Sequence, residues 1–492
     1  MTATLGDISA RLPTGLLIGD EWVTNSSGGT MDHVSPATGL LQRKFPVAGV
    51  AEIDDAVTAA QVGLQAFRRW TATQRRDALH RLSGLVGAHA NDFTTIAALE
   101  CGMIQPMAAA MAPGLRGWLD YYAGWADKLD GDVVAAAGGF DYTRCEPIGV
   151  VASILTWNGP ILSLGYKVAP ALAAGCAIVI KPPELAPFGA ALFGRLCLEA
   201  GFPPGVVNVV PGGPDAGDKL VRDPRLDKIS FTGGPETARK IQAACAESLT
   251  PLVLELGGKS ANIVFADADL QRAATIAAAG IVRLSGQVCV APTRLLVQSS
   301  VYESVVEQVS AILNNTQVGD PFDPATQMGP VISEGARDRI MGVIQRTKLG
   351  GEGELVAGGE QVREDLGGFY VSPTAFANVS NSSQLAQQEI FGPVLAITPF
   401  DSEEEAVALA NDTAFGLAAY LHTNDVSRVL RVAEGLDVGN VAVNGGAAIA
   451  APIAPFGGFK DSGYGKEGGR AGIEEFLRVK NVNININRAD VP

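Results

Sequence analysis

The chain has 492 residues, of which 47% are hydrophobic and 18% are charged, and its formal net charge at pH 7 is −15. One hydrophobic core rarely serves a chain of this length, so we predict two or more domains. The acidic balance argues against a nucleic-acid partner, because such a partner favours a basic protein surface.

Six cysteines are scattered along the chain without C-x-x-C spacing or neighbouring histidine clusters. This pattern favours neither a disulfide framework nor a zinc site, and no metal is expected. Residues Met1–Asp20 lack the basic and apolar regions of a secretory signal. The apolar stretch Val168–Ile180 is too short to span a membrane. We therefore expect a soluble, cytoplasmic protein without a membrane partner.

Helical periodicity dominates the first part of the chain. Apolar positions recur at three- and four-residue spacing, which predicts helices over Ile53–His89, Phe93–Met111 and Gly114–Leu129. Pro113 is expected to break the helical run before the last of them. Trp118 is expected in the core or along a channel wall.

Short apolar segments alternate with helical patterns in the centre of the chain. Strands this uniformly apolar are buried on both faces, so they predict a parallel sheet with ligands at the carboxyl ends of its strands. The predicted strands are Val150–Leu155, Ala177–Ile180, Val206–Val210, Lys228–Phe231 and Leu252–Leu254. The predicted helices are Ile161–Ala174, Pro187–Ala200, Asp215–Val221 and Pro235–Ser248.

A second α/β run follows, which predicts another domain of the same class. Its predicted strands are Arg294–Val297, Phe391–Phe400 and Ala418–Leu421, and its predicted helices are Leu270–Leu284, Val301–Leu313, Glu334–Thr347 and Glu403–Asn411. Near the C-terminus, Asn481–Asn487 alternates polar and apolar residues, which is the period of a half-buried strand. We expect this strand to pair with the segment from Val133 to Arg144 or with a neighbouring subunit, as an assembly element.

Three predicted strand ends carry residues that are able to bind a ligand or take part in a reaction. The Gly233-Gly234-Pro235 turn suits either a phosphate-binding helix start or an ordinary turn. The segment Lys181–Glu184 suits either ribose hydroxyls or a solvated, proline-rich loop. Asn158 offers a neutral donor for an oxyanion, although asparagine more often satisfies turn backbone.

Cys289 follows a glycine turn at Gly286, and it is either a nucleophile or a small buried hydrophobic residue. None of the four histidines falls in a glycine-rich motif, so a cysteine–histidine hydrolase has little support. A thiolate at Cys289 would need backbone dipoles or a nearby cationic nicotinamide ring.

Seven motifs together closely resemble those of the NAD(P)-dependent aldehyde dehydrogenase superfamily, over nearly the whole chain and in the same order. They are Thr156-Trp157-Asn158, Lys181–Glu184, Phe231-Thr232-Gly233, Glu255–Lys259, Gly286–Cys289, Glu389–Pro393 and Pro455–Lys460. The separation of Glu255 from Cys289 also resembles that of the non-acylating members.

By this resemblance, Cys289 attacks the aldehyde carbon, Asn158 and the Cys289 backbone N–H hold the oxyanion, and Glu255 activates the water that hydrolyses the thioester. The resemblance implies NAD as cofactor, with NADP as the alternative, and a small-molecule aldehyde as substrate. The residues implied in cofactor binding are Trp157, Lys181, Glu184, Gly213, Gly233, Gly234, Leu256, Glu389 and Phe391.

The implied fold is α/β and aldehyde dehydrogenase-like, with two doubly wound α/β domains and a small β oligomerisation element. Residues 1–124 and 148–256 would form the NAD-binding domain, and residues 257–457 would form the catalytic domain. Residues 125–147 and 458–492 would form the oligomerisation element and C-terminal tail of a homodimer or homotetramer.

Several positions differ from the pattern of many relatives. Thr156 stands where proline precedes the tryptophan, and Gly234 replaces a serine whose hydroxyl would contact phosphate. Glu184 favours NAD, because the 2′-phosphate of NADP would meet a carboxylate. Gly159 replaces a bulky aromatic residue.

Gly159, Ser163 and the alanine-rich loop Gly445–Ala451 place small side chains where relatives often contact the substrate. They predict a roomy pocket for a bulky, hydrophobic or aromatic aldehyde, unless Trp118 or Tyr166 refills the space.

Two other functions stay open. A CoA-acylating relative is disfavoured by Glu255, which those members typically lack. A catalytically silent structural or binding relative has no need of Cys289, Glu255 and Asn158 together.

Overall fold

A computed structural model describes residues 12–135 and 139–485 of the chain. In chain order, the strands are Leu16–Ile18 (β1), Glu21–Val23 (β2), Thr30–Val34 (β3), Leu41–Pro46 (β4), Val133–Val134 (β5), Gly139–Pro147 (β6), Val150–Ile154 (β7), Ala177–Lys181 (β8), Val207–Val209 (β9), Lys228–Thr232 (β10), Leu252–Glu255 (β11), Ala261–Val264 (β12), Arg294–Gln298 (β13), Glu354–Ala357 (β14), Thr374–Ala377 (β15), Val394–Phe400 (β16), Phe415–Gly416 (β17), Ala418–His422 (β18), Asn440–Val443 (β19), Phe459–Lys460 (β20), Gly463–Tyr464 (β21) and Leu477–Asn485 (β22).

Helices alternate with these strands through most of the described chain. They are Val50–Phe67 (α1), Ala72–Ala88 (α2), Ala90–Cys101 (α3), Gln105–Ala109 (α4), Met111–Ala123 (α5), Pro160–Ser163 (α6), Ala169–Ala174 (α7), Phe188–Glu199 (α8), Pro214–Val221 (α9), Pro235–Cys245 (α10), Leu270–Val282 (α11), Tyr302–Asn314 (α12), Glu334–Gly350 (α13), Gln384–Gln387 (α14), Glu403–Asn411 (α15), Val426–Gly435 (α16) and Gly469–Glu474 (α17). No helix within residues 12–135 and 139–485 combines the length and the apolar character needed to cross a membrane.

The first large sheet has the strand order β2-β1-β9-β8-β7-β10-β11-β21. Five neighbouring strands in the middle of this sheet run parallel to one another, namely β9, β8, β7, β10 and β11. Every residue of β7 and β8 is buried, as expected for strands covered by helices on both faces. All five predicted strands of this sheet are confirmed, each to within one residue at either end.

The second large sheet has the order β14-β15-β16-β13-β12-β18-β19, and all neighbours except β14 and β15 are parallel. The predicted α/β class is therefore confirmed for both sheets. The sequence analysis did not predict β12, β14, β15 or β19. Each of them has only four residues, too few to establish a period of two.

A three-stranded sheet contains the C-terminal strand. Strand β22 pairs antiparallel with β6 from Leu477 opposite Pro147 to Asn485 opposite Gly139, and β5 lies on the other side of β6. The predicted pairing within the chain is thus confirmed. The last two residues of the predicted strand, Ile486 and Asn487, lie outside the described residues.

The prediction that Pro113 breaks the helical run is wrong. Pro113 lies in the first turn of α5, where a proline is tolerated because the N–H groups there have no intrahelical acceptor. The helix predicted over Phe93–Met111 ends instead at Gly102, whose φ of 65° terminates α3. The predicted helix Ile53–His89 is likewise two helices, separated at Thr71, whose hydroxyl accepts a hydrogen bond from Gln74 N–H.

Other predicted boundaries also shift for local reasons. The helix predicted over Ile161–Ala174 contains a π-helical segment, Leu164–Val168, between α6 and α7. The strand predicted from Phe391 begins only at Val394, because Phe391 has a φ of 52°. The helix predicted to end at Leu284 ends two residues earlier.

Candidate active site

Polar and small residues follow the carboxyl ends of the central strands of the first sheet. Asn158 follows β7, Lys181 ends β8, Gly213 follows β9, Gly233 follows β10 and Glu255 ends β11. Because these strands are parallel neighbours, the five residues lie along one edge of the sheet. The topology therefore gathers residues that are widely separated in sequence.

The part of this edge around Gly213 and Gly234 leaves room for a ligand. A Cβ atom added to either glycine would meet no heavy atom within 4 Å. The two glycines immediately precede α9 and α10, and free N–H groups at helix starts attract phosphate. Lys181 Nζ lies 3.0 Å from Glu184 Oε1. This ion pair holds the Glu184 carboxylate at the strand end, where it is suited to accept hydrogen bonds from ribose hydroxyls. These residues fit a dinucleotide.

The other residues implied in cofactor binding are Trp157, Leu256, Glu389 and Phe391. The rings of Trp157 and Phe391 pack edge to face, with centroids 5.3 Å apart. Glu389 Oε1 accepts a hydrogen bond from the Gly258 N–H at 3.0 Å. Leu256 lines the neighbouring cavity.

A cavity of about 140 Å³ contains Asn158, Glu255 and Cys289 in its wall. Most of the wall is apolar, with Met107, Met111, Trp118, Leu162, Tyr166, Val288, Val290, Ile449, Ala450 and Phe456. The further polar side chains in the wall are Thr156, Thr232, Arg283 and Glu467. The three predicted catalytic residues thus face one largely apolar space.

A left-handed turn leads into Cys289. Leu284, Ser285 and Gly286 have φ values of 47°, 54° and 70°, a conformation that costs a non-glycine residue about 1–2 kcal/mol. The Ser285 hydroxyl donates to Gly329 O at 2.7 Å, which holds the turn in place. Only glycine fits at position 286, because a Cβ atom there would lie 2.1 Å from a backbone oxygen.

The surroundings of Cys289 favour the neutral form of its thiol. Burial, followed by the carboxylates of Glu389 and Glu255, raises its pKa to about 12. None of the four histidines, all of which the structure describes, lines the cavity. A nucleophilic role for this sulfur would require its proton to pass to another acceptor.

Glu255 is 3% exposed, and neither of its carboxyl oxygens has a hydrogen-bond partner among the described residues. Burial, followed by repulsion from Glu467, raises its pKa well above the usual range. Its backbone oxygen accepts from Gly233 N–H at 3.1 Å, which fixes the strand end. A carboxyl group in a cavity wall, with no hydrogen-bond partner among the described residues, is suited to exchange protons with water there.

The Asn158 carboxamide is held at both of its ends. Its Oδ1 accepts a hydrogen bond from the Thr156 hydroxyl at 2.7 Å, and its Nδ2 donates to Gln287 O at 2.8 Å. Gln287 lies two residues before Cys289, so this bond ties the amide to the segment that carries the thiol.

The sequence analysis missed a buried ion pair beside Glu255. Lys167 Nζ lies 2.7 Å from Glu467 Oε1 and also donates to Ser230 Oγ at 2.9 Å. Lys167 belongs to the π-helical segment and Glu467 to the C-terminal part of the chain. Neither residue stands in a motif with a recognisable spacing. The only available signal was a lysine within an otherwise apolar helical pattern.

The space at Gly159 is open, since a Cβ atom added there would meet no heavy atom within 4 Å. Trp118 and Tyr166 pack against each other, with ring centroids 5.7 Å apart, and both line the cavity wall. Ser163 does not line it: that side chain is fully buried and donates to Pro160 O at 2.8 Å. The expectation that Ser163 lies on the pocket wall is therefore wrong.

The fold and the residues at the carboxyl ends of its strands are typical of dinucleotide-dependent enzymes. The sequence profile of the aldehyde dehydrogenase family matches residues 22–482. The chain belongs to this family, and it is an NAD(P)-dependent enzyme that oxidises aldehydes to carboxylic acids.

Named relatives cover almost the whole chain. Retinal dehydrogenase 2 of Homo sapiens is 40% identical over 482 residues, which are 96% of this chain and 92% of that protein. Phenylacetaldehyde dehydrogenase of Pseudomonas fluorescens is 40% identical over 490 residues, 96% of each chain. The solved structure of betaine aldehyde dehydrogenase from Staphylococcus aureus in complex with NAD+ has a TM-score of 0.96 and 33% identity, and the match covers 99% of this chain and 97% of that one.

Proposed function

We propose that the chain oxidises bulky, apolar aldehydes with NAD, and that Cys289, Glu255 and Asn158 carry out the chemistry. The observation that supports this most is the single cavity in which a thiol, a carboxyl group and a carboxamide meet apolar walls. Retinal and phenylacetaldehyde, which give two of the relatives their names, are bulky and apolar aldehydes. The open space at Gly159 leaves room for a substrate of this kind.

Residues at the edge of the first sheet would hold the cofactor. Lys181 and Glu184 would bind the adenosine ribose, Glu389 the nicotinamide ribose, and the helix starts at Gly213 and Gly234 the phosphates. Bound NAD supplies an acceptor for a hydride ion. The Glu184 carboxylate would repel a 2′-phosphate, which favours NAD over NADP. The further proposed contacts are Trp157, Gly233, Leu256 and Phe391.

The first chemical step forms a bond from Cys289 sulfur to the aldehyde carbon, after the thiol has passed its proton to a water molecule. The carbonyl oxygen gains the negative charge, and Asn158 Nδ2 and the Cys289 backbone N–H donate hydrogen bonds to it. One such donor typically lowers the barrier by about 3–4 kcal/mol. Loss of hydride from the resulting thiohemiacetal carbon leaves a thioester on Cys289.

The second step releases the acid. Glu255, as a carboxylate, accepts a proton from a water molecule while the water oxygen attacks the thioester carbon. The carbon–sulfur bond then breaks, and its electron pair returns to Cys289 as the thiolate. The products are the carboxylic acid and the enzyme ready for another aldehyde.

Replacing Cys289 with alanine tests this mechanism. We expect NADH formation from phenylacetaldehyde to fall to background, while NAD binding and the thermal unfolding temperature stay unchanged. Glu255→Gln is the matched variant: it should release about one NADH per active site in a burst and then stall at the thioester. NADH formation that persists undiminished in Cys289→Ala would overturn the mechanism.

The same assay separates hydrolysis from acyl transfer to CoA. The Glu255 carboxyl group lies in the cavity with Cys289, which supports hydrolysis. We expect steady turnover of the unmodified enzyme with aldehyde and NAD alone. Turnover that requires added CoA would indicate the acylating reaction instead.

Three further properties belong to this proposal. We propose an NAD-binding domain of residues 1–124 and 148–256, a catalytic domain of 257–457, and an oligomerisation element with C-terminal tail of 125–147 and 458–492. The exposed apolar side chains Val133, Val479 and Ile484 on the three-stranded sheet support a homodimer or homotetramer. The six free cysteines support a cytoplasmic location. Light scattering of the purified enzyme would measure the subunit number.

A further inference from the structure

We infer that the Thr156 hydroxyl is a positioning group, which holds the Asn158 carboxamide with its nitrogen toward the reacting oxygen. The inference rests on the oxyanion role proposed above for Asn158.

The contacts of Asn158 determine which way its amide points. The backbone oxygen of Gln287 can only accept a hydrogen bond, so the Asn158 atom 2.8 Å from it must be the nitrogen. The amide oxygen then faces Thr156, whose hydroxyl donates to it at 2.7 Å. The orientation of the amide therefore follows from its two partners together.

The count of donors leaves one N–H for the substrate. An asparagine amide has two N–H groups, and the bond to Gln287 uses one of them. Thr156, Asn158 and Cys289 all line the same cavity. The second N–H is thus available for the oxygen that becomes negative when Cys289 sulfur attacks.

Two physical effects follow from the Thr156 bond. With Gln287 as its only partner, the amide could rotate further about its Cβ–Cγ bond and would spend less time in the productive geometry. A hydrogen bond accepted by the amide oxygen also polarises the amide and makes its N–H a better donor. Both effects favour the step in which the negative charge develops, rather than cofactor binding.

The backbone around Thr156 is fixed independently of its hydroxyl. Leu155 N–H donates to Lys181 O at 3.0 Å, which continues the pairing of β7 with β8. Thr156 itself is half-buried. Replacing the hydroxyl by a methyl group therefore removes the hydrogen bond and preserves the side-chain shape.

Thr156→Val is accordingly the test, with Thr156→Ser as the control that retains the hydroxyl. The measurement is the single-turnover rate of NADH formation with phenylacetaldehyde and saturating NAD. We expect Thr156→Val to slow this rate about three- to tenfold, the range for loss of one neutral hydrogen bond. Thr156→Ser should stay within about twofold of the unmodified enzyme, and the Kd for NAD should be unchanged in both.

A double-mutant cycle with Asn158→Ala shows whether the effect acts through the amide. Once Asn158 is alanine, adding Thr156→Val should slow the reaction no further. An unchanged rate in Thr156→Val would overturn the inference, and so would an equal loss in the Asn158→Ala background. If Thr156→Val fails to fold, Thr156→Pro serves as the second variant without a hydroxyl.

The cycle also separates this inference from the proposed function. If Asn158→Ala alone keeps the full single-turnover rate, the oxyanion role of Asn158 is wrong and the inference is lost with it. If Asn158→Ala is slow while Thr156→Val is not, the proposed function stands and the positioning role of Thr156 is wrong.

Discussion

The ammonium group of Lys167 lies 2.7 Å from the carboxylate of Glu467, and these side chains are only 0% and 5% exposed. Glu467 lines the cavity that holds Cys289, and its charge contributes to the raised pKa of Glu255. Lys167 favours the charged form of both carboxyl groups. Breaking this ion pair should therefore change both the free energy of unfolding and the pKa of Glu255.

Replacing Lys167 with methionine should destabilise the protein, because Glu467 would remain buried without its partner. The expected loss is about 3–5 kcal/mol of the free energy of unfolding, as for other buried pairs that lose one member. The double variant Lys167→Met/Glu467→Leu should recover a large part of this loss. Urea unfolding followed by fluorescence measures both. A double variant less stable than Lys167→Met would contradict the prediction.

The rate of the reaction should rise with pH. Burial and neighbouring carboxylates raise the pKa of Cys289 to about 12, and burial and Glu467 raise the pKa of Glu255. In the proposed mechanism both groups act in their deprotonated forms, so raising the pH increases the active fraction of each. We expect kcat/KM for phenylacetaldehyde to increase continuously from about pH 6 to about pH 9, by up to about tenfold per unit. A flat or falling profile in an enzyme that stays folded would count against this electrostatic account.

Filling the space at Gly159 should narrow the choice of substrate. A Cβ atom at this position meets no heavy atom within 4 Å, and Gly159 lines the cavity, so we expect the ring of Gly159→Phe to occupy part of that space. We expect kcat/KM for phenylacetaldehyde to fall about tenfold or more, and that for acetaldehyde to change by less than about threefold. Gly159→Ala is the control for backbone effects. The bulky-substrate proposal would also fail if the unmodified enzyme showed comparable kcat/KM for both aldehydes.

Arg283 should discriminate against positively charged aldehydes. The side chain is exposed, lines the active-site cavity, and has no hydrogen-bond or ion-pair partner in the described part of the chain. Arg283→Gln should therefore raise kcat/KM for betaine aldehyde about three- to tenfold, relative to its neutral analogue 3,3-dimethylbutanal, and the gain should shrink at high salt. Arg69→Gln, at an exposed arginine outside this cavity, is the control. Equal changes for the two aldehydes would exclude an electrostatic role.

The strands of the first sheet were predictable because each is a short, mostly apolar segment that alternates with a helical pattern. Lys181 and Glu255 end two of these strands. Strand β12 lies between β13 and β18 in the second sheet, but no helix separates it from β11, so it interrupts the strand–helix alternation that identified the other strands. The prediction for Pro113 was wrong because sequence alone does not tell whether a proline lies in the first turn of a helix or interrupts it.

The candidate site was predictable where residues stand in motifs, and unpredictable where tertiary structure alone brings them together. Cys289, Glu255 and Asn158 each belong to a recognisable segment. Lys167 and Glu467 are separated by 300 positions, and nothing in either segment indicates the other. Arg283 likewise looks like any exposed arginine until the cavity around it is known.

The pairing of β22 with β6 also constrains the order in which the protein can fold during its synthesis. Lys480 and Glu146, which are joined by a hydrogen bond across these two strands, are 334 positions apart. At the usual rate of translation, roughly 20–70 s pass between the synthesis of the first residue and that of the second. Until β22 has been synthesised, the edge of β6 that pairs with it has no partner strand. Most strands of both large sheets have been synthesised by then. The nascent chain therefore exposes an unpaired strand edge through most of its translation, and chaperones have their best opportunity to bind it in that interval.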